Sequence, residues 1–171
     1  MISSKASPKY SSSAGFTLVE LLVVVVIVGV LGAIAAPSWL AYATRQRMKA
    51  VESDLVQVFN QARETAVVQR RDVDVQIDET ADVPTVAVDG DVQELGPNEL
   101  RPGMVTLDVA SGAADTVTFD YQGTARNNAG GDIPFVVDIL PSTGNRQNCV
   151  AVATLLGNVK TANSVGECDA F

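Results

Sequence analysis

The 171-residue sequence has no histidine, and so lacks the commonest general base and the commonest transition-metal ligand. Its two cysteines are too few to complete a tetrahedral zinc site or an iron–sulfur cluster. Aromatic residues make up only 5%, little material for stacking single-stranded nucleic acid. Cations are also scarce. Twelve Lys and Arg face twenty Asp and Glu, a net charge of −8 that opposes the approach of a polyanion. Serine and threonine are plentiful, but there is no histidine to activate them and no nucleophile elbow. We therefore expect no enzyme, no catalytic residue, no metal ligand and no cofactor. The length suits one domain with a tail and not two full cores.

Apolar residues are concentrated in one place. Residues 1–15 are polar and carry Lys5 and Lys9 with no acid; Phe16 to Ala36 then form a 21-residue run with a single charge, Glu20. About 20 apolar residues at 1.5 Å each cross a hydrocarbon layer roughly 30 Å thick. The run is long for a secretory signal, although Ala33, Ala35 and Ala36 could serve as a small-residue cleavage site. Lys5 and Lys9 keep the N-terminus cytoplasmic by the positive-inside rule, while Arg45, Arg47 and Lys49 beyond the run blur the asymmetry. Those three cations either meet anionic headgroups or simply flank the span. Cys149 and Cys168 enclose 18 residues, and a disulfide there contributes about 3 kcal/mol in an oxidising, exported compartment. Two buried free thiols are the alternative.

Glu20 needs an explanation, because an unpaired carboxylate in lipid costs several kcal/mol. Two readings stand side by side. It pairs with a free α-amino group on Phe16 of a neighbouring copy, created by cleavage after Gly15, or it snorkels to the cytoplasmic interface.

Beyond the span, Pro37 should interrupt the helix by removing one hydrogen bond, with Gly29 and Gly32 adding softness. Met48, Val51, Leu55, Val58 or Phe59, Ala62 and Ala66 then recur at spacings of three and four, an amphipathic stripe. A helix from Phe16 to about Gln69 would be roughly 80 Å long. From Val73 short alternating runs predict strands at Val73–Ile77, Thr85–Val88, Met104–Val109, Thr116–Tyr121, Ile133–Ile139 and Cys149–Leu155, separated by turns at 89–91, 96–98, 126–131 and 141–145. The fold class expected is α+β: a long N-terminal helix, transmembrane in its first half and amphipathic in its second, packed on an antiparallel β-sheet head. The acids between Arg71 and Arg101, including Asp89-Gly90-Asp91, lack the full calcium-loop pattern and read as a solvated face.

Gly15-Phe16-Thr17-Leu18-Val19-Glu20, with the apolar run and Pro37 after it, resembles the class III signal of type IV pilins and type II secretion pseudopilins. The resemblance implies cleavage after Gly15 by a prepilin peptidase and N-methylation of Phe16. It makes Glu20 the assembly residue and Pro37 a helix break. Residues 1–15 become a cleaved leader, 16–42 the transmembrane and filament-core half, and 43–171 an exported head whose helix runs to about 70. The partners implied are other pilins or pseudopilins, the peptidase, an inner-membrane assembly platform, and lipid before assembly. The location implied is a single pass of the bacterial inner membrane, N-terminus cytoplasmic and head periplasmic, then a pilus or pseudopilus.

Residues 61–66 (Gln-Ala-Arg-Glu-Thr-Ala), Gln69-Arg70-Arg71, Thr118 to Gly123 and Cys149 to Gly157 narrow the resemblance to the GspH/FimT-type minor pilins. A minor pilin that primes a type IV pilus is the leading expectation, and a GspH-like minor pseudopilin of a type II secretion system the alternative. A third, a pilus-borne DNA receptor for transformation, uses a glycine-arginine-x-arginine motif in that family. The matching place reads Gly157-Asn158-Val159-Lys160, so Arg146 and Lys160 are the remaining DNA-binding candidates. Beyond Tyr42 ten cations face nineteen acids, a balance of −9, which disfavours DNA.

Overall fold

The computed structural model describes residues 15–98, 100–109, 115–127, 133–142 and 148–171. Helix α1 spans Leu18–Gln69; nine strands and a short helix α2 (Val165–Cys168) follow. The strands are β1 Val73–Asp78, β2 Thr85–Val88, β3 Asp91–Glu94, β4 Val105–Val109, β5 Thr116–Phe119, β6 Ala125–Asn127, β7 Phe135–Pro141, β8 Asn148–Val152 and β9 Val159–Ala162. The chain divides into two compact units, Met1–Leu40 and Ala41–Phe171.

In the first unit the described side chains from Phe16 to Ile34 are all exposed, including Phe16 at 79% and Leu18 at 80%. By length and composition this stretch of α1 is able to cross a membrane. The expected break at Pro37 is corrected: the helix continues through it. Proline lacks the N–H that would bond the carbonyl of residue 33, but intact turns on either side hold its neighbours helical.

In the second unit Met48, Val51, Leu55, Val58, Phe59, Ala62 and Ala66 are buried, the stripe read from their spacing. At the end of α1 Arg70 adopts φ 53° and the Arg71 N–H donates to the Ala66 carbonyl at 3.2 Å. That is a Schellman closure with arginine in the left-handed position usually held by glycine.

Two antiparallel sheets follow, one ordered β3-β2-β1-β5-β6 and the other β4-β7-β8-β9. Strand β1 alternates buried and exposed residues, its Val73, Val75 and Ile77 facing the core. Phe59 of α1 meets Phe119 of β5 and Phe135 of β7, each with ring centroids 6.3 Å apart. One helical residue thus packs on both sheets. Strand β8 is buried on both faces: Val150 and Val152 join the main core, while Cys149 and Ala151 form a smaller cluster with Val136, Ala162 and Cys168. The Cys149–Cys168 disulfide, Cα atoms 6.0 Å apart, fastens α2 over that second face.

Three expected strands stop or start elsewhere for local reasons. Strand β5 ends at Phe119 because Asp120 opens a turn, its carboxylate accepting from the Gln122 and Thr124 N–H groups at 2.8 and 3.0 Å. Strand β8 ends at Val152 ahead of the turn closed by the Gly157 N–H on the Thr154 carbonyl at 2.8 Å. Strand β7 begins at Phe135, after Pro134, which has no N–H to give to the ladder. Strand β6 lies partly in what reads as a turn, and β3 and β9 are short and largely exposed.

Candidate functional site: the N-terminal segment

The segment Gly15 to Glu20 enters α1 through a cap. Thr17 precedes the first helical residue, and its Oγ1 accepts the Glu20 N–H at 3.2 Å, while its carbonyl accepts the Leu21 N–H at 3.2 Å. Thr-x-x-Glu in this place is a capping-box sequence with the threonine half formed. A carboxylate in the first turn also meets the positive end of the helix dipole. Thr17 has no role in the sequence reading, although its spacing from Glu20 carried the signal.

Gly15 and Phe16 precede the helix and are exposed, and a Cβ on Gly15 would meet nothing within 4 Å. The fold therefore gives Gly15 no packing reason to be glycine. Beyond Glu20, each described residue as far as Ala35 is exposed and apolar or glycine, so the chain itself does not cover the stem. Such a surface is stable in water only when lipid or protein covers it.

The head holds a second convergence. Arg63 Nε donates to the Gly123 carbonyl at 3.2 Å. A Cβ on Gly157 would lie 2.9 Å from that carbonyl oxygen and 3.1 Å from Arg63 Cδ. Both glycines have positive φ, 79° and 69°, so backbone conformation and space alike demand glycine. Three of the four segments that carry the subgroup resemblance thus meet at one point, a purpose that sequence spacing alone does not show.

Lys160 is exposed on β9 and Arg146 lies outside the described residues. Arg126 pairs with Asp72 at 2.9 Å and Arg71 with Asp89 at 2.6 Å, so these two cations already face acids. Asp89 also accepts the Asp74 N–H at 3.1 Å, and Asp89-Gly90, with φ of 52° and 90°, forms the two-residue turn between β2 and β3. These acids shape a hairpin. Asp138, Cys149 and Cys168 are near one another, but both sulfurs are spent in the disulfide.

Comparisons with known proteins agree with this layout. Residues 10–36 match the family described as the prokaryotic N-terminal methylation motif. A fimbrial protein of Pseudomonas aeruginosa is 37% identical over 59 residues, 34% of this chain; the match spans 38% of that protein's length. The crystal structure of the type IV minor pilin FimU of the same species superposes with a TM-score of 0.51 at 16% identity, over 71% of this chain and 92% of that one. The minor pseudopilin EpsH of the Vibrio cholerae type 2 secretion system gives 0.48 at 17% identity, over 68% and 97%. The chain thus joins a methylation motif, a long apolar helix and an antiparallel head. The chain carries that motif at residues 10–36 and shares its fold with the type IV minor pilin FimU.

Proposed function

We propose that the chain is a minor pilin, a structural and priming subunit of a type IV pilus. The observation that carries this is the stem: about 20 uncovered apolar residues behind a capped helix start, with one acid near the entrance. In this reading a prepilin peptidase cuts after Gly15 and Phe16 becomes the methylated N-terminus. The span, residues 16–42, waits in the inner membrane with the head, 43–171, in the periplasm. An assembly platform then moves it into the filament, where neighbouring stems replace lipid. The Glu20 carboxylate finds its partner in that apolar setting in the α-amino group of a neighbouring subunit's first residue. The role is structural and not catalytic, and the disulfide suits the oxidising compartment that receives the head.

A second reading, a GspH-like minor pseudopilin of a type II secretion system, is supported by the Arg63–Gly123–Gly157 convergence, which unites three of the segments of that subgroup's resemblance. A DNA receptor draws support only from Lys160 and Arg146 against a head balance of −9.

Glu20→Ala tests the assembly role. We expect the variant to be cleaved and membrane-inserted in normal amounts yet to be absent from sheared filaments. Incorporation at the wild-type level would remove Glu20 from the account.

A further inference from the structure

Cations are scarce in this chain, yet Arg45, Arg47 and Lys49 fall within five residues of one another. They lie on α1, in a stretch from Leu21 to Val51 that holds no acid. Topology does not account for them. Cations beside a span favour the cytoplasmic side, and in the filament reading these stand on the exported one. Among the described residues none of the three pairs with an acid, whereas Arg71 and Arg126 face Asp89 and Asp72. Arg45 and Lys49 are moreover like charges at i and i+4, an arrangement that disfavours a helix unless an anion lies against it.

Their placement fits a membrane surface. Arg45 and Lys49 share one side of α1 and are exposed; Arg47, about 200° round the helix from Arg45, is half-buried. The three cations thus form a collar, as a stem surrounded by lipid requires. Trp39 and Tyr42 precede them, 70% and 54% exposed, residue types that gather at the headgroup level. The Tyr42 hydroxyl accepts from Gln46 Nε2 at 2.7 Å, which ties its polar end to the turn bearing Arg45. At 1.5 Å per residue the helix rises about 30 Å from Glu20 to Leu40 and roughly 8 Å more to Arg45. A bilayer has about 30 Å of hydrocarbon, and polar layers bring it to 40–45 Å. With Glu20 at one edge, the collar stands at the far headgroups, within reach of long side chains.

We propose that Arg45, Arg47 and Lys49 form a binding site for anionic phospholipid headgroups in the leaflet beneath the head. The inference rests on the membrane-stored stem of the filament reading and names the lipid class that the stem selects. Guanidinium and ammonium groups donate to the phosphate oxygens, and these charge-assisted bonds must break when the subunit is extracted. Anionic lipid therefore holds the stored subunit in place.

Trp39 is the only tryptophan and precedes Arg45 by less than two helical turns, so it serves as the probe. The full chain is reconstituted in vesicles of equal parts phosphatidylglycerol and phosphatidylcholine, with bromine on the acyl chains of one lipid or the other. Brominated phosphatidylglycerol should quench Trp39 more strongly, with an enrichment of about fivefold for each cation that holds a headgroup. Arg45→Gln/Arg47→Gln/Lys49→Gln should be quenched alike by both lipids, while Arg45→Lys/Arg47→Lys should keep the preference. Gln and Lys match Arg in helix preference, so α1 stays intact. Lys5 and Lys9 are common to all these chains, so a difference between them belongs to the collar. Equal quenching of the wild type by the two lipids overturns the proposal, as does a preference that survives loss of the three charges. Displacement of the anionic lipid by a short DNA duplex also overturns it and assigns the cations to nucleic acid. Quenching by neither lipid removes the stem from the bilayer and overturns the membrane reading itself, whereas equal quenching leaves that reading standing.

Discussion

Single residues in this protein act mainly by capping. Asp120 is the clearest case in the head. Partial burial works to raise its pKa, but the Thr124 hydroxyl at 2.5 Å, the Thr124 and Gln122 N–H groups and the nearby Arg126 outweigh it, so the carboxyl lies below its ordinary 3.8. A carboxyl depressed in the folded state adds stability above its unfolded pKa and loses it as pH falls through the folded one. Asp120→Ala should therefore cost about 0.5–1.5 kcal/mol at neutral pH in urea unfolding of the head, since the Gln122 and Thr124 N–H groups lose their acceptor. The gap between variant and wild type should close in acid, below the ordinary carboxylate range. A gap unchanged at low pH would show that the charge has no part in it. Thr17 does the same service at the start of α1, and the sequence carried the sign in Thr17-x-x-Glu20, hidden because Glu20 drew all the chemical attention. Arg70 was not legible at all, since the left-handed position at a helix end is usually marked by glycine.

At the scale of elements, periodicity was a good guide where one face is buried and a poor one where neither is. The stripe from Met48 to Ala66 was readable because a sheet-facing helix must repeat its apolar residues every three or four positions. The apolar run from Phe16 was readable by length. Strands β1, β2, β4, β5, β7 and β8 were also visible, because their buried residues announce them. Strand β3 was not: all four of its residues are exposed, so no alternation survives, and backbone pairing with β2 alone defines it. Four-residue α2 was invisible for a different reason, being held by the disulfide and not by a stripe. The continuity of α1 through Pro37 shows that a proline's local penalty can be carried by long flanking helix. Phe59 is the residue where helix and both sheets meet, and it is fully buried. Phe59→Ala should destabilise the head by about 3–5 kcal/mol in denaturant unfolding, the usual cost of an aromatic cavity. A loss below about 1 kcal/mol would mean that the core does not turn on this contact.

At the scale of the whole chain, two units solve two solvent problems. Ala41–Phe171 buries its apolar surface within itself, with a helix stripe, two sheets and a disulfide. The described side chains from Phe16 to Ile34 leave their apolar surface uncovered, a surface stable in water only when lipid or protein covers it. The layout was legible from hydropathy, and the class from six residues, Gly15 to Glu20, matched within the methylation motif. The meeting of Arg63, Gly123 and Gly157 was not, because pairing across a fold leaves no mark on local spacing. The central claim, that this is a processed filament subunit, is tested most directly by N-terminal mass spectrometry of the protein from membranes and from sheared surface filaments. The account predicts a chain beginning at N-methylated Phe16 and present in the sheared fraction. A chain that begins at Met1, or one cut after Ala36, would contradict it.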